Sequence, residues 1–341
     1  MIFLQHAWRL LGRRVADRIV REIERPLIAL SLEATHGNQL RAAALVAYGL
    51  PAVSLQLANR VANAAPGLDR LAARLQPRVE SALASPPWLH DVLDGTWLGT
   101  PLHPVLTDVP VGAWTAAFGL DAVSVLTRSR AARDAADGAL AVGIAGAVPA
   151  AVTGTADWRD LTGEERRIAN VHALLNVAGL SLAVASLVQR LRGRRAAGRA
   201  LSGVGLAFSG TAAHLGGELS FGRGVRVNQN FAAARPREFT AVLDEAELSG
   251  DAMKVAQLDG TPVLVTRSAA GQVCAIANTC SHLGGPLAEG AREGDVVTCP
   301  WHGSRFDLCS GRVIEGPAVF PQPRYEARVA DGKIELRVQS D

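Results

Sequence analysis

Two short segments carry residues that could bind metal: Cys280-Ser281-His282 and Cys299-Pro300-Trp301-His302. Each pairs one thiol with one imidazole, and 16 residues separate His282 from Cys299. This set suits a mixed-ligand iron–sulfur centre. Two thiolates hold one iron and two neutral imidazoles hold the other, which takes the electron. Exchanging thiolate for imidazole removes negative charge and raises the reduction potential. Gly284-Gly285-Pro286, Gly303 and Gly316-Pro317 flank the pairs; such residues let backbone approach closely and donate N–H bonds to sulfide. The alternative is a structural Cys2His2 zinc site. Zinc fingers, however, pair cysteine with cysteine and histidine with histidine along the chain.

The elements that must position these pairs are strands. Short β-branched runs occur at 263–265, 272–276, 296–298, 325–329 and 333–338, with hairpin turns at Asp259-Gly260 and Asp331-Gly332. Together they predict a small all-β domain over residues 237–341, with the ligands on its loops.

The segments CSHLGGP (280–286), CPWHGSRFD (299–307) and GPA (316–318) closely resemble the Rieske [2Fe–2S] family. The resemblance covers roughly residues 237–341. It implies a [2Fe–2S] cluster on Cys280, His282, Cys299 and His302, three stacked antiparallel sheets and a cluster at an exposed tip. Gly284, Ser304, Phe306 and Pro317 would surround it. Respiratory members carry two further cysteines joined as a disulfide where this chain has Gly285 and Trp301. That likens it to the ferredoxin components of ring-hydroxylating oxygenases. Ser304 stands where a serine hydrogen-bonds a bridging sulfide, and Phe306 where high-potential members have tyrosine. Cys274 and Cys309 match no ligand position and are expected to be a small core residue and a surface thiol.

The rest of the chain reads as helix. Of 341 residues 48% are hydrophobic but only 5% aromatic, and the net charge of +3 gives no ground for a nucleic-acid partner. Residues 1–95 form an N-terminal region of amphipathic character, with eleven Arg against six Asp and Glu in residues 1–80. It reads as a solvated helical face or one lying on anionic lipid. Residues 42–58 are apolar but interrupted, and no cleavable signal peptide is expected from residues 1–8. Within a domain at 96–222, four apolar stretches, 109–126, 139–155, 168–188 and 200–215, approach the ~20 residues that cross a bilayer core. A linker at 223–236 follows. The expected fold is therefore an α-helical transmembrane bundle of four spans, then the all-β domain. TWLGTPLHPVLTDVPVGAW, beginning at Thr96, with His172-x3-Asn176 and His214-Leu215-Gly216-Gly217, resembles a bacterial family of four-helix membrane domains, domain of unknown function 2231. This resemblance implies topology and no activity.

Asp121, His172, Asn176 and His214 fall inside or at the ends of the expected spans. Ionisable groups there face protein or water. They read either as a haem or quinone site, with His172 and His214 as ligands or proton carriers, or as interhelical hydrogen bonds that fix packing. His103 reads as a loop contact at the membrane surface. Eight Arg follow the first and third spans and three follow the second, which would put the all-β domain outside. The missing export signal and the missing loop disulfide favour the cytoplasmic face of the bacterial cytoplasmic membrane instead. The function expected is one-electron transfer from a membrane anchor to a redox partner protein, the quinone pool or a membrane site. The alternatives are a ferredoxin feeding a separate oxygenase, and a redox sensor or assembly protein without turnover. No catalytic residue is expected.

Overall fold

The computed structural model describes Arg60, residues 67–83 and residues 86–338. The apolar stretch 42–58 and most of the expected amphipathic N-terminal region lie outside the described residues. Among the described residues there are six α-helices: α1 (Gly67–Leu83), α2 (Pro87–Asp94), α3 (Leu102–Thr127), α4 (Arg130–Trp158), α5 (Gly163–Leu191) and α6 (Arg195–Gly217).

Helices α3 to α6 form a closed bundle in which α3 meets α4 and α6, and α5 meets α4 and α6. Connections of two to four residues make chain neighbours antiparallel. The turns are local: Arg128 takes a left-handed φ of 58° to end α3, and the Ser129 hydroxyl caps α4 by accepting from Ala132 N. Small residues bring the helices close. A Cβ on Gly143 would lie 2.3 Å from Trp114 Nε1, and one on Gly179 2.5 Å from Ser209 Oγ.

The bundle buries few large apolar side chains, Trp114, Leu140, Ile168 and Leu215 among them. Its interior holds Ala117, Ala136, Thr153, Ser186, Ser202 and Ser209, whereas Phe118, Leu126, Leu174 and Val177 are exposed. An outward apolar face around a small, partly polar interior matches a hydrocarbon solvent. Helices α3, α4 and α5 are long and apolar enough to cross a membrane. The fourth expected span, in α6, does not reach that standard: Arg195 and Arg199 occupy its first turns and Gly, Ala and Ser fill much of the remainder.

The C-terminal domain has two antiparallel sheets. A six-stranded sheet runs β1-β10-β9-β4-β3-β2, with β1 Thr240–Asp244, β2 Lys254–Leu258, β3 Thr261–Arg267, β4 Val273–Ala277, β9 Arg324–Ala330 and β10 Lys333–Val338. A four-stranded sheet runs β5-β6-β7-β8: Ala291–Glu293, Val296–Thr298, Arg305–Asp307 and Val313–Glu315. Two sheets therefore stand where three were expected, because β1 and β10 continue the sheet of β2 to β4. Between the sheets, Leu264, Ile276, Leu287, Val297, Phe306 and Leu308 are buried against Cys280 and Cys299. Cys274 and Cys309 are joined in a disulfide, with Cα atoms 4.7 Å apart. The expectation of two unpaired residues fails because the β7–β8 turn folds Cys309 over β4.

Candidate metal centre

The two Cys/His segments form two loops of one design. Cys280 N donates to Gly285 O at 2.7 Å and Gly284 N to Cys280 O at 2.9 Å; Cys299 N donates to Ser304 O at 2.8 Å and Gly303 N to Cys299 O at 3.1 Å. Gly284 and Gly303, each four residues after its cysteine, have φ of 87° and 78°. A side chain is disfavoured at both. The shared spacing Cys-x3-Gly is a signal the linear sequence carries. The first loop follows β4 and is closed by a bridge between Thr279 and Pro286. The second is the β6–β7 hairpin.

The donors stand as two like pairs. Cys280 and Cys299 are buried free thiols hydrogen-bonded to each other. The His282 and His302 rings meet edge to face with centroids 5.1 Å apart. Backbone N–H groups of His282 and Leu283 point at the Cys280 sulfur, and those of Trp301 and His302 at the Cys299 sulfur. The Cys280 thiol is raised by its bond to Cys299 and by burial. Cys299 is pulled down to about 6 because the Cys280 thiol and the two N–H groups hold its thiolate. Burial pushes His282 well below the ordinary imidazole range, aided by Arg226, and lowers His302 likewise. Thiolate and neutral imidazole are the forms that bind metal.

The residues fit a two-iron cluster. His282 is 6% exposed, and its Nδ1 is buried without a hydrogen-bond partner. Gly285 leaves the space beside the cysteines open, since a Cβ there would meet Cys299 Sγ at 2.8 Å. Ser304 is fully buried; its Oγ accepts from Ala318 N at 3.0 Å, which leaves its hydrogen for the pocket between the loops. Phe306 is fully buried beside both cysteines. Pro317 lies in the third loop, and its carbonyl accepts from Arg226 Nη1 at 2.9 Å.

The tip is exposed only on its second loop, where Trp301 is 57% exposed. The α4–α5 loop of the helical bundle covers the first, with Asp160 Oδ2 3.7 Å from His282 Nε2. Asp94, fully buried, pairs with Arg159 at 2.7 Å and also with Arg226. Arg226 reaches Asp157 as well; burial opposes its charge, but Asp157 and Asp94 hold it. Gly316 N donates to Asp91 Oδ1 at 3.0 Å, and Thr96 Oγ1 to Ala318 O at 3.3 Å. Gln229 N donates to Ser281 O and Asn230 Nδ2 to Thr279 O, so the segment read as a linker is packed under the first cluster loop.

The four polar residues of the bundle do not assemble into one site. Asp121 pairs with Arg190 near the far end of the bundle, where Arg190 also donates to Asp137 at 3.0 Å and Ser202 at 2.9 Å. His172 lies near the end that carries the β domain. Its Nδ1 is 2.7 Å from Ala212 O and its Nε2 3.0 Å from Asn176 Nδ2, so both nitrogens are engaged. His214 lies on the exposed side of α6. The ring facing His172 is His103, at 6.4 Å between centroids. His103 is not a surface loop contact. It sits in the first turn of α3, where Pro104 is tolerated, and its Nδ1 is 2.8 Å from Ala150 O.

Comparison with known proteins agrees with this division. Residues 238–326 match the family described as Rieske [2Fe-2S] domain, and residues 99–229 the one described as predicted membrane protein (DUF2231). Ferredoxin CarAc of Metapseudomonas resinovorans is 33% identical over 85 residues, 25% of this chain and 78% of that protein. The cytochrome b6-f complex iron-sulfur subunit of Chlorobaculum tepidum is 31% identical over 25% of this chain and 45% of its own length. The solved ferredoxin of carbazole 1,9a-dioxygenase from Nocardioides aromaticivorans IC177 is 28% identical over 30% of this chain and 98% of that one, with a TM-score of 0.28.

Proposed function

The chain belongs to the Rieske [2Fe–2S] family, and from that premise we propose that it is a membrane-anchored one-electron carrier whose cluster is held by Cys280, His282, Cys299 and His302. Bound there, the cluster supplies a one-electron redox couple. The observation that carries this reading is the pairing of thiol with thiol and imidazole with imidazole on two matching loops. Residues 96–222 are the anchor, 223–236 the joining segment and 237–341 the redox domain. His302 lines a cavity of about 580 Å3 with Asp160, Leu161, Arg223 and Trp301, and this is the edge through which electrons pass to a partner protein or a quinone. The ferredoxin relatives favour a second reading, service to a separate oxygenase.

For orientation, the disulfide between Cys274 and Cys309 weighs against the cytoplasmic face. Arg128, Arg130, Arg133, Arg190, Arg192, Arg194, Arg195 and Arg199 also gather at the end of the bundle away from the β domain. Both support a redox domain on the outer, oxidising side. Protein purified anaerobically in detergent should hold two irons and two labile sulfides and give a Rieske EPR signal on reduction. Stoichiometric zinc without iron would sink the reading. A membrane-impermeant amine reagent should label the exposed Lys254 and Lys333 of the redox domain in right-side-out vesicles; labelling in inverted vesicles alone would reverse the orientation.

A further inference from the structure

We propose that Asp160, in the α4–α5 loop of the helical domain, is a positioning residue for the cluster: it faces the imidazole of His282 and holds the cluster's potential down. The inference rests on the reading above, in which His282 is a ligand. His282 has one nitrogen on each side of the question. Nδ1 is buried without a partner and so is free for metal, while Nε2 points at Asp160 Oδ2, 3.7 Å away. That oxygen is itself buried without a hydrogen-bond partner. A carboxylate oxygen deprived of water costs free energy unless a donor faces it, and among the described residues the imidazole Nε2 of His282 faces it.

The loop is built to keep the carboxylate there. Arg159 Nε is 3.5 Å from Asp160 Oδ1, and the same guanidinium is fixed to the buried Asp94 at 2.7 Å. Leu161 is buried, and its carbonyl accepts from Gln76 Nε2 of α1 at 2.8 Å. The carboxylate is therefore supplied by the anchor and not by the redox domain. A histidine ligand whose outer N–H meets a carboxylate becomes a stronger electron donor to its metal. The negative charge beside the site also opposes the added electron. Both effects favour the oxidised state.

The test is a redox titration followed by EPR on the full chain in detergent, at one pH, with wild type, Asp160→Asn and Asp160→Glu. Asp160→Asn should raise the midpoint by enough to multiply the reduced-to-oxidised ratio at fixed potential about tenfold, which is about 59 mV for one electron. Asp160→Glu should recover part of the difference. The nitrogen hyperfine couplings of the reduced cluster should change in Asp160→Asn, a response that a packing role alone would not give. A midpoint and couplings equal to wild type in a fully loaded Asp160→Asn protein overturn the proposal, as does loss of the cluster in a variant that melts like wild type. Absence of any cluster from the wild type would instead refute the parent reading.

Discussion

Replacing Arg226 by alanine should separate the redox domain from its anchor. Arg226 is 6% exposed and bonds at once to Asp157, Asp94 and the Pro317 carbonyl. Asp94 keeps Arg159, but Asp157 would be left buried without its cation. Breaking a buried ion pair from one side costs ~3–5 kcal/mol. What remains across the junction is chiefly the Asp91–Gly316, Thr96–Ala318, Gln229–Ser281 and Asn230–Thr279 bonds. At roughly 0.5–1.5 kcal/mol for each neutral bond and roughly 1.5–3 for the one to a carboxylate, they are of the same order as the penalty. The domains should then come apart while each stays folded. Two readouts check this: the single thermal transition should divide into two, and thermolysin should cut before Val225 or Val227, where Val225 is 7% exposed in the docked state. Arg226→Lys keeps the charge without the planar fork and should fall between. One transition at the wild-type temperature, with no cleavage, would refute the reasoning.

Three further outcomes are expected. The isolated domain 237–341 should titrate in the lower half of the roughly −150 to +300 mV range of Rieske centres. Phe306→Tyr should raise that midpoint by bringing a hydroxyl toward the buried cysteine sulfurs, and Ser304→Ala should lower it; a midpoint near the upper end contradicts both assignments. Replacing Cys274 and Cys309 by serine opens a loop whose ends are 35 residues apart and should cost ~4 kcal/mol of domain stability, read by denaturant titration without reductant. The full chain should need detergent, whereas 237–341 should stay soluble without it; full-length protein soluble at high salt would show that α3 to α5 make an ordinary core.

The two matching Cys/His loops were legible because they are local. Each loop states its cysteine, its histidine and the glycine that turns it within five residues. Strands β3, β4, β6, β9 and β10 and the long apolar helices were legible from period and apolar length. What the sequence hid depends on distant segments meeting. Cys274 and Cys309 become partners only when β4 and the β7–β8 turn stack. Asp160 looks like one more loop charge until the anchor is set against the cluster loops. Arg190 reads as the polar boundary of a span, yet it is buried because Asp121 and Asp137 on two other helices reach it. His103 was placed in a turn because prolines flank it, but the first turn of a helix has no N–H to lose there.

The joining segment has a kinetic consequence. Gln229 and Asn230 are tied beneath the first loop, and Arg226 grips both domains, so the segment cannot serve as a swinging arm. A redox centre fastened to its anchor samples one tunnelling distance rather than a distribution. On the proposed function, its electron exchange should be a single exponential, timed by how often the other reactant arrives and independent of solvent viscosity acting on domain rotation. On that reading the motion falls to the partner, and the cluster waits at a fixed height above the helices.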